Sequence, residues 1–211
     1  MSNNYFDSVV KHYEDCLVKH GDSYLGVDWP DADDANKRYK VMLDIITFKD
    51  TAGSHVSVLD FGCGAAHLQQ YILDNNIQNI NYTGLDISEK FVSLCKKKFP
   101  QGVFYCADIL DSKTVLPMFD YIVINGAFTE KRELSFDDMW EYLKQVLKKI
   151  FFLANKGIAF NVMSKAVDWE RDDLFHLPAD LLIDFLTKNL SRNFVIRNDY
   201  GLYEYTTYIF K

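Results

Sequence analysis

Val56-Ser57-Val58-Leu59-Asp60-Phe61 runs without a break into Gly62-Cys63-Gly64. A short, nearly continuous apolar run of this length reads as a strand buried on both faces, and the glycines that follow read as a tight turn. A strand buried on both sides needs helices above and below it, which restricts the chain to α/β architectures. The rest of the sequence alternates in the same way. Helical patterns cover about 65–75, 89–99, 135–153 and 178–190. Strand patterns cover 81–87, 103–107, 119–125 and 157–162. Ser88 is placed as an N-cap, Ser135 and Asp138 as a capping box, and Pro178 in a first helical turn. Two final strands, 193–198 and 203–210, have only Asp199-Tyr200-Gly201-Leu202 between them, so they must form an antiparallel hairpin at one sheet edge.

The expected fold is therefore a Rossmann-like sandwich: a seven-stranded, mostly parallel sheet with an antiparallel C-terminal hairpin strand. Residues 1–50 precede it. They carry amphipathic helices at 5–20 (Phe6, Val9, Val10, Tyr13 and Leu17 on one face) and 34–49, with a loop between them. We expect one domain over 1–211, in which 1–50 forms a helical lid on a core at 56–211.

Composition narrows the function. With 23 Lys+Arg against 30 Asp+Glu in 211 residues, the formal net charge is −7. That balance disfavours nucleic-acid partners, which call for a basic face. The longest strongly apolar run, 150–154, is too short to span a bilayer, and residues 1–4 carry no secretory signal pattern. The expectation is a soluble, cytoplasmic protein with neither nucleic acid nor membrane as partner. Cys16, Cys63, Cys95 and Cys106 show no Cys-x-x-Cys spacing, so neither a disulfide framework nor a metal site is expected, and Cys95 and Cys106 read as small buried side chains.

In open α/β sheets, ligands bind beyond the carboxyl ends of the strands. Four such ends carry chemistry. Asp60-x-Gly62-x-Gly64 offers a backbone that can approach a ligand closely. Asp86 ends the second strand, where a carboxylate can accept ribose hydroxyls. Ala107-Asp108-Ile109 follows the third and suits an amine-bearing purine. Asn125-Gly126-Ala127 follows the fourth. Gly64 and Asp86 are 22 residues apart, as are Asp86 and Asp108. Each acid alone also reads as an N-cap or turn residue. A nicotinamide-binding fingerprint would need glycine where His67 stands.

These residues resemble the class I S-adenosylmethionine-dependent methyltransferases. Val58–Gly64 looks like that family's first motif, Gly84-Leu85-Asp86-Ile87-Ser88 like its second, and Ala107-Asp108-Ile109 like its adenine-contacting turn. Phe119–Val123 looks like the strand leading to the transfer site. Ala66 departs from the third glycine the family often has. The resemblance implies S-adenosyl-L-methionine as cofactor and S-adenosyl-L-homocysteine as product. Gly62 and Gly64 would bed the methionine portion and Asp60 would order the loop. Asp86 would hold the ribose, Asp108 the adenine amine, and Asn125 the methionine tail. Cys63, Ile87, Ala107 and Ile109 would line the same cofactor site. Arg38 is either the partner of the cofactor carboxylate or an ordinary helix arginine. Candidate bases are His176, Glu130 and Asp199, each with a plain structural alternative. Tyr13, Trp29, Tyr200 and Tyr203 would wall an acceptor pocket, if they are not simply packing residues. The (Asp/Asn)-Pro-Pro-(Tyr/Phe) signature of base-modifying enzymes is missing after the fourth strand. The expected acceptor is an O or N atom of a small molecule: a sugar, a polysaccharide precursor or a secondary metabolite. The alternatives are a non-catalytic S-adenosylmethionine-binding module, since fold alone does not establish activity, and, ranked below it, an NAD-dependent oxidoreductase.

Overall fold

The computed structural model describes residues 7–51 and 53–211, so Phe6, expected on the face of the first helix, lies outside the described residues. The strands are β1 (Val56–Phe61), β2 (Ile80–Asp86), β3 (Val103–Cys106), β4 (Phe119–Ile124), β5 (Ala154–Ser164), β6 (His176–Leu177), β7 (Phe194–Arg197) and β8 (Glu204–Phe210). They form one sheet in the order β3-β2-β1-β4-β5-β8-β7, and the two-residue β6 pairs alongside β5. β1 to β6 run parallel, whereas β8 is antiparallel to both β5 and β7. The hairpin expected at the edge is present, with β8 inserted between β5 and β7. The extra strand β6 falls in a stretch whose sequence has no strand period.

Side-chain alternation explains the two layers. Val56 and Val58 of β1, with Tyr121 and Val123 of β4, face one core; Leu59 with Ile122 and Ile124 face the other. The first core is covered by α2 (Ala32–Leu43), α3 (His67–Asp74) and α4 (Glu89–Lys98), through Tyr39, Met42, Leu68, Ile72, Val92 and Cys95. The second is covered by α5 (Phe136–Leu153) and α6 (Ala179–Asn189), through Leu143, Leu147, Ile150, Leu182 and Phe185. The helix starts follow their capping chemistry: the Ser88 hydroxyl accepts from Phe91 N–H, and Ser135 and Asp138 form a reciprocal capping box.

The second helix starts earlier than its pattern suggests, because the Asp31 carboxylate accepts from both Asp33 and Asp34 N–H groups. It ends at Leu43 and tightens into a 3-10 turn over Asp44–Phe48. α1 (Asp7–His20) crosses the carboxyl side of the sheet. There the Ser88 hydroxyl donates to Glu14 at 2.6 Å and Lys90 pairs with Glu14 at 2.7 Å. Among the described residues no helix is long and apolar enough to cross a membrane. Cys95 is buried as expected, but Cys106 is exposed, because β3 is an edge strand.

Candidate active site

The chain leaves β1 through two glycines in left-handed backbone, Gly62 at φ +71° and Gly64 at φ +51°. The N–H groups of Gly62 and Cys63 donate to Leu85 O at 2.8 and 3.0 Å, which folds the turn across the end of β2. Gly64 N–H then donates to Asp86 Oδ2 at 2.8 Å, and Ser88 N–H to Asp86 Oδ1 at 2.9 Å. A carboxylate offers about four acceptor positions, so Asp86 pins the loop and keeps acceptor capacity toward the cleft. Burial raises its pKa, and the N–H donors partly offset that rise. Ala66, which stands where a third glycine is common, adopts φ 54° and ψ 41°. It keeps the left-handed conformation a glycine would take, at a strain cost of about 1 kcal/mol.

Asp60 is buried at 4 % exposure and accepts the Tyr82 hydroxyl at 2.7 Å. Burial pushes its pKa up to about 7; the Tyr82 bond opposes the rise and the nearby Asp86 charge adds to it.

These groups line a cavity of about 210 Å³ at the carboxyl ends of β1, β2 and β4, where the strand order reverses. Asp60, Gly62, Cys63, Gly64, Asp86, Ile87, Ala107, Asp108, Ile109 and Asn125 all lie on its wall. So do Tyr13, Trp29 and Glu130. Asp108 also caps the backbone locally, accepting Leu110 N–H at 2.8 Å. Asn125 Oδ1 is buried without a hydrogen-bond partner among the described residues. An orphaned acceptor beside a glycine cradle fits a ligand that carries N–H or O–H donors.

Residues 59–157 match the methyltransferase-domain family model. The Mycobacterium tuberculosis protein Rv1506c, which carries a provisional methyltransferase name, is 30% identical over 166 residues, covering 76% of this chain and 96% of its own. The chain belongs to the class I S-adenosylmethionine-dependent methyltransferases. Solved methyltransferases share the fold of this one at low identity. The magnesium protoporphyrin IX methyltransferase of Synechocystis PCC 6803, with bound S-adenosylmethionine, superposes with TM-score 0.62 at 15% identity over 99% of this chain and 94% of its own. The plantazolicin methyltransferase BamL, in complex with a substrate analogue and S-adenosylhomocysteine, gives TM-score 0.64 at 15% identity over 99% and 93%.

Five expected site residues of this methyltransferase do not reach the cavity. His176 is buried in β6. Its Nε2 accepts Arg171 N–H at 3.2 Å, so its Nδ1–H donates to Ser164 O at 2.6 Å. Both ring nitrogens are spent on backbone, which removes it as a base. Asp199 sits in the exposed hairpin turn, held by Arg197 at 2.9 Å. Tyr200 hydrogen-bonds Thr206 at 2.9 Å and Glu204 at 3.4 Å. Tyr203 is 66% exposed. Arg38 donates through Nε to Glu204 at 2.8 Å and stacks on Trp29, with Cζ 4.6 Å from the ring centre. It is therefore engaged inside the protein and does not line the cavity.

Glu130 is the one candidate base that the structure brings to the cavity. Its side chain is 12% exposed, and Oε2 is buried without a hydrogen-bond partner among the described residues. Arg132 Nη1 lies 3.5 Å away, an ion-pair separation without hydrogen-bond geometry. Burial raises the Glu130 pKa against the pull of Arg132. Burial, and then the Glu130 charge, also raise that of Tyr13.

The wall includes residues that sequence patterns did not single out for it: Val9 and Val10 of α1, Met139 and Tyr142 of α5, and His67. Amphipathic spacing marks all but His67 only as core-facing. His67 opens α3; its Nε2 meets Asp22 at 2.8 Å while its Nδ1 is buried and unpartnered among the described residues. His12, Cys16 and Asp28 each bring one ligand-type atom within 4.8 Å of the others. Arg132 Nη2 lies 2.7 Å from His12 Nε2, a fixed cation where a metal would bind, and we assign no metal there.

Proposed function

We propose that this enzyme moves a methyl group from S-adenosyl-L-methionine to an O or N atom of a small molecule, with Glu130 as the acceptor's proton partner. Bound S-adenosylmethionine supplies an electrophilic methyl on a positively charged sulfur. Gly62 and Gly64 let the methionine portion lie against the backbone, and Asp60 offers a buried negative charge to its amino group. Asp86 receives the ribose hydroxyls, Asp108 the adenine amine, and the orphaned Asn125 oxygen a donor on the methionine tail. The helices before β1 act as a lid, bringing Val9, Val10, Tyr13 and Trp29 over the cleft.

Displacement at an activated methyl needs alignment and exclusion of water more than acid–base power. A hydroxyl acceptor must also lose a proton, and an amine must arrive neutral. Glu130 meets that need at the cavity wall. The observation that carries the reading is the convergence of the glycine turn, Asp86, Asn125 and Glu130 on one cavity at the strand-order reversal. The net charge of −7 favours a small acceptor over a nucleic acid, and two structural neighbours are named for magnesium protoporphyrin IX and plantazolicin.

The test has two stages. Calorimetry with S-adenosylhomocysteine should show binding, and NADH should neither bind nor raise the melting temperature. Radiolabelled methyl transfer from S-adenosylmethionine to a panel of sugars, phenols and amines then finds the acceptor. With it, Glu130→Gln should cut transfer about 10²–10⁴-fold and leave S-adenosylhomocysteine affinity within about twofold. No binding by the wild-type chain refutes the proposal; binding with no transfer to any acceptor leaves the non-catalytic module.

A further inference from the structure

Arg38 misses the cavity, yet it stands at one end of a chain of buried polar contacts that ends on the cavity wall. Its Nε–H donates to Glu204 Oε2 at 2.8 Å. Glu204 Oε1 accepts Asn161 Nδ2–H at 2.9 Å. Asn161 Oδ1 accepts Gly126 N–H at 2.8 Å. Glu204 and Asn161 are 1% and 0% exposed. Each link fixes the next. A carboxylate only accepts, so Asn161 must turn its amine toward Glu204 and its oxygen toward Gly126. An amide turned the other way would set donor against donor at Gly126 and oxygen against oxygen at Glu204. Arg38 places its positive charge against Glu204, in a site that is otherwise costly for a lone carboxylate.

The contacts also close from above. The Arg38 guanidinium stacks on Trp29, and Trp29 stacks on Tyr39 with ring centres 5.9 Å apart and planes 10° off parallel. The Trp29 ring covers Gly126, where an added Cβ would lie 3.0 Å from Trp29 Cζ2. Gly126 itself holds φ +87°. The turn that carries Asn125 is thus held from below by the Asn161 amide and from above by the Trp29 ring, and Arg38 is joined to both.

We infer that Arg38 and Glu204 are positioning residues for the cofactor, acting through Asn161 and Trp29 to hold the Asn125-Gly126 turn in its binding conformation. This rests on the cofactor reading above, and it gives Arg38 a role without contact to the cofactor.

The experiment compares wild type, Arg38→Met and the pair Arg38→Met/Glu204→Gln. Three quantities are read: S-adenosylhomocysteine affinity by calorimetry, melting temperature, and hydrogen-exchange protection of the Gly126 amide by NMR. Arg38→Met strands a buried carboxylate. Binding should weaken at least about tenfold, and Gly126 protection should fall more than that of amides within β4. In the pair, the side chain at position 204 is neutral and its amide oxygen can still accept from Asn161, so affinity should return to within about threefold of wild type, with Gly126 protection restored. Should Arg38→Met show no melting transition, Arg38→Lys takes its place: it keeps the charge but loses the stack and the Nε donor, and a loss of about threefold is expected. Affinity within twofold of wild type in the single variant, no recovery in the pair, or weakened binding with Gly126 protection intact each overturns the inference. Failure of the wild-type chain to bind S-adenosylhomocysteine refutes the cofactor reading instead, while Gly126 protection in the three proteins still reports on the contacts themselves.

Discussion

Asp60→Asn should weaken the pH dependence of stability and reduce proton release on cofactor binding. In the folded chain burial lifts the Asp60 pKa from its ordinary 3.8 to about 7. The folded state therefore holds a proton between those values that the unfolded chain has lost. Stability must fall as pH rises through that window and level off above it. The slope is about 1.4 kcal/mol per pH unit, and the full loss is about 4 kcal/mol by pH 8. For a chain of this size that equals about 8–16 °C in melting temperature. Asparagine is nearly the same shape and its oxygen can still accept the Tyr82 hydroxyl, so the variant removes the charge and little else. Melting curves from pH 4.5 to 8 should show wild type losing ground steadily to Asp60→Asn. Cofactor binding reverses the sign, because the methionyl ammonium favours ionised Asp60. At pH 6, S-adenosylhomocysteine should displace nearly one proton more from wild type than from the variant. Calorimetry in buffers of differing ionisation enthalpy counts those protons. A constant melting-temperature difference across the range, or equal proton release in both proteins, would refute the assignment of a buried, protonated Asp60 beneath the methionine portion.

Other outcomes follow from single contacts. Asp86→Ala removes the acceptor that pins Gly64 and Ser88 N–H groups, so calorimetry should show S-adenosylhomocysteine binding weaker by at least about tenfold, or 1.4 kcal/mol. Gly126→Ala must bring a Cβ against Trp29 at φ +87°; chemical denaturation should register a loss of about 1–2 kcal/mol, accompanied by weaker cofactor binding. Asp199→Ala removes only an exposed partner of Arg197, so transfer activity should stay within about twofold of wild type in the radiolabel assay.

Sequence patterns place the glycine turn and the strand-end acids on the cavity wall because they record backbone needs. A glycine turn after a buried strand, and an acid at the end of the next, are local facts about φ angles and strand ends. Gly62, Gly64 and Asp86 meet through bonds between adjacent parallel strands. The Glu130 side of the cavity and the supports behind it depend on contacts between distant segments, which no local period encodes. Arg38 and Glu204 are 166 residues apart, and the ion pair between them draws an arginine expected at the ligand away from the cavity wall. His176 shows the same limit. Its type and loop setting suit a base, but a two-residue strand draws it under Ser164 O, and Arg171 N–H takes the remaining nitrogen. Glu130 had no stronger local signal than Asp199. What separates them is burial: one carboxylate oxygen is left without a donor at the cavity wall, while the other residue is paired with Arg197 in an exposed turn. The property that makes a carboxylate useful here, an unmet hydrogen-bonding need in a desolvated place, exists only once the chain has folded around it.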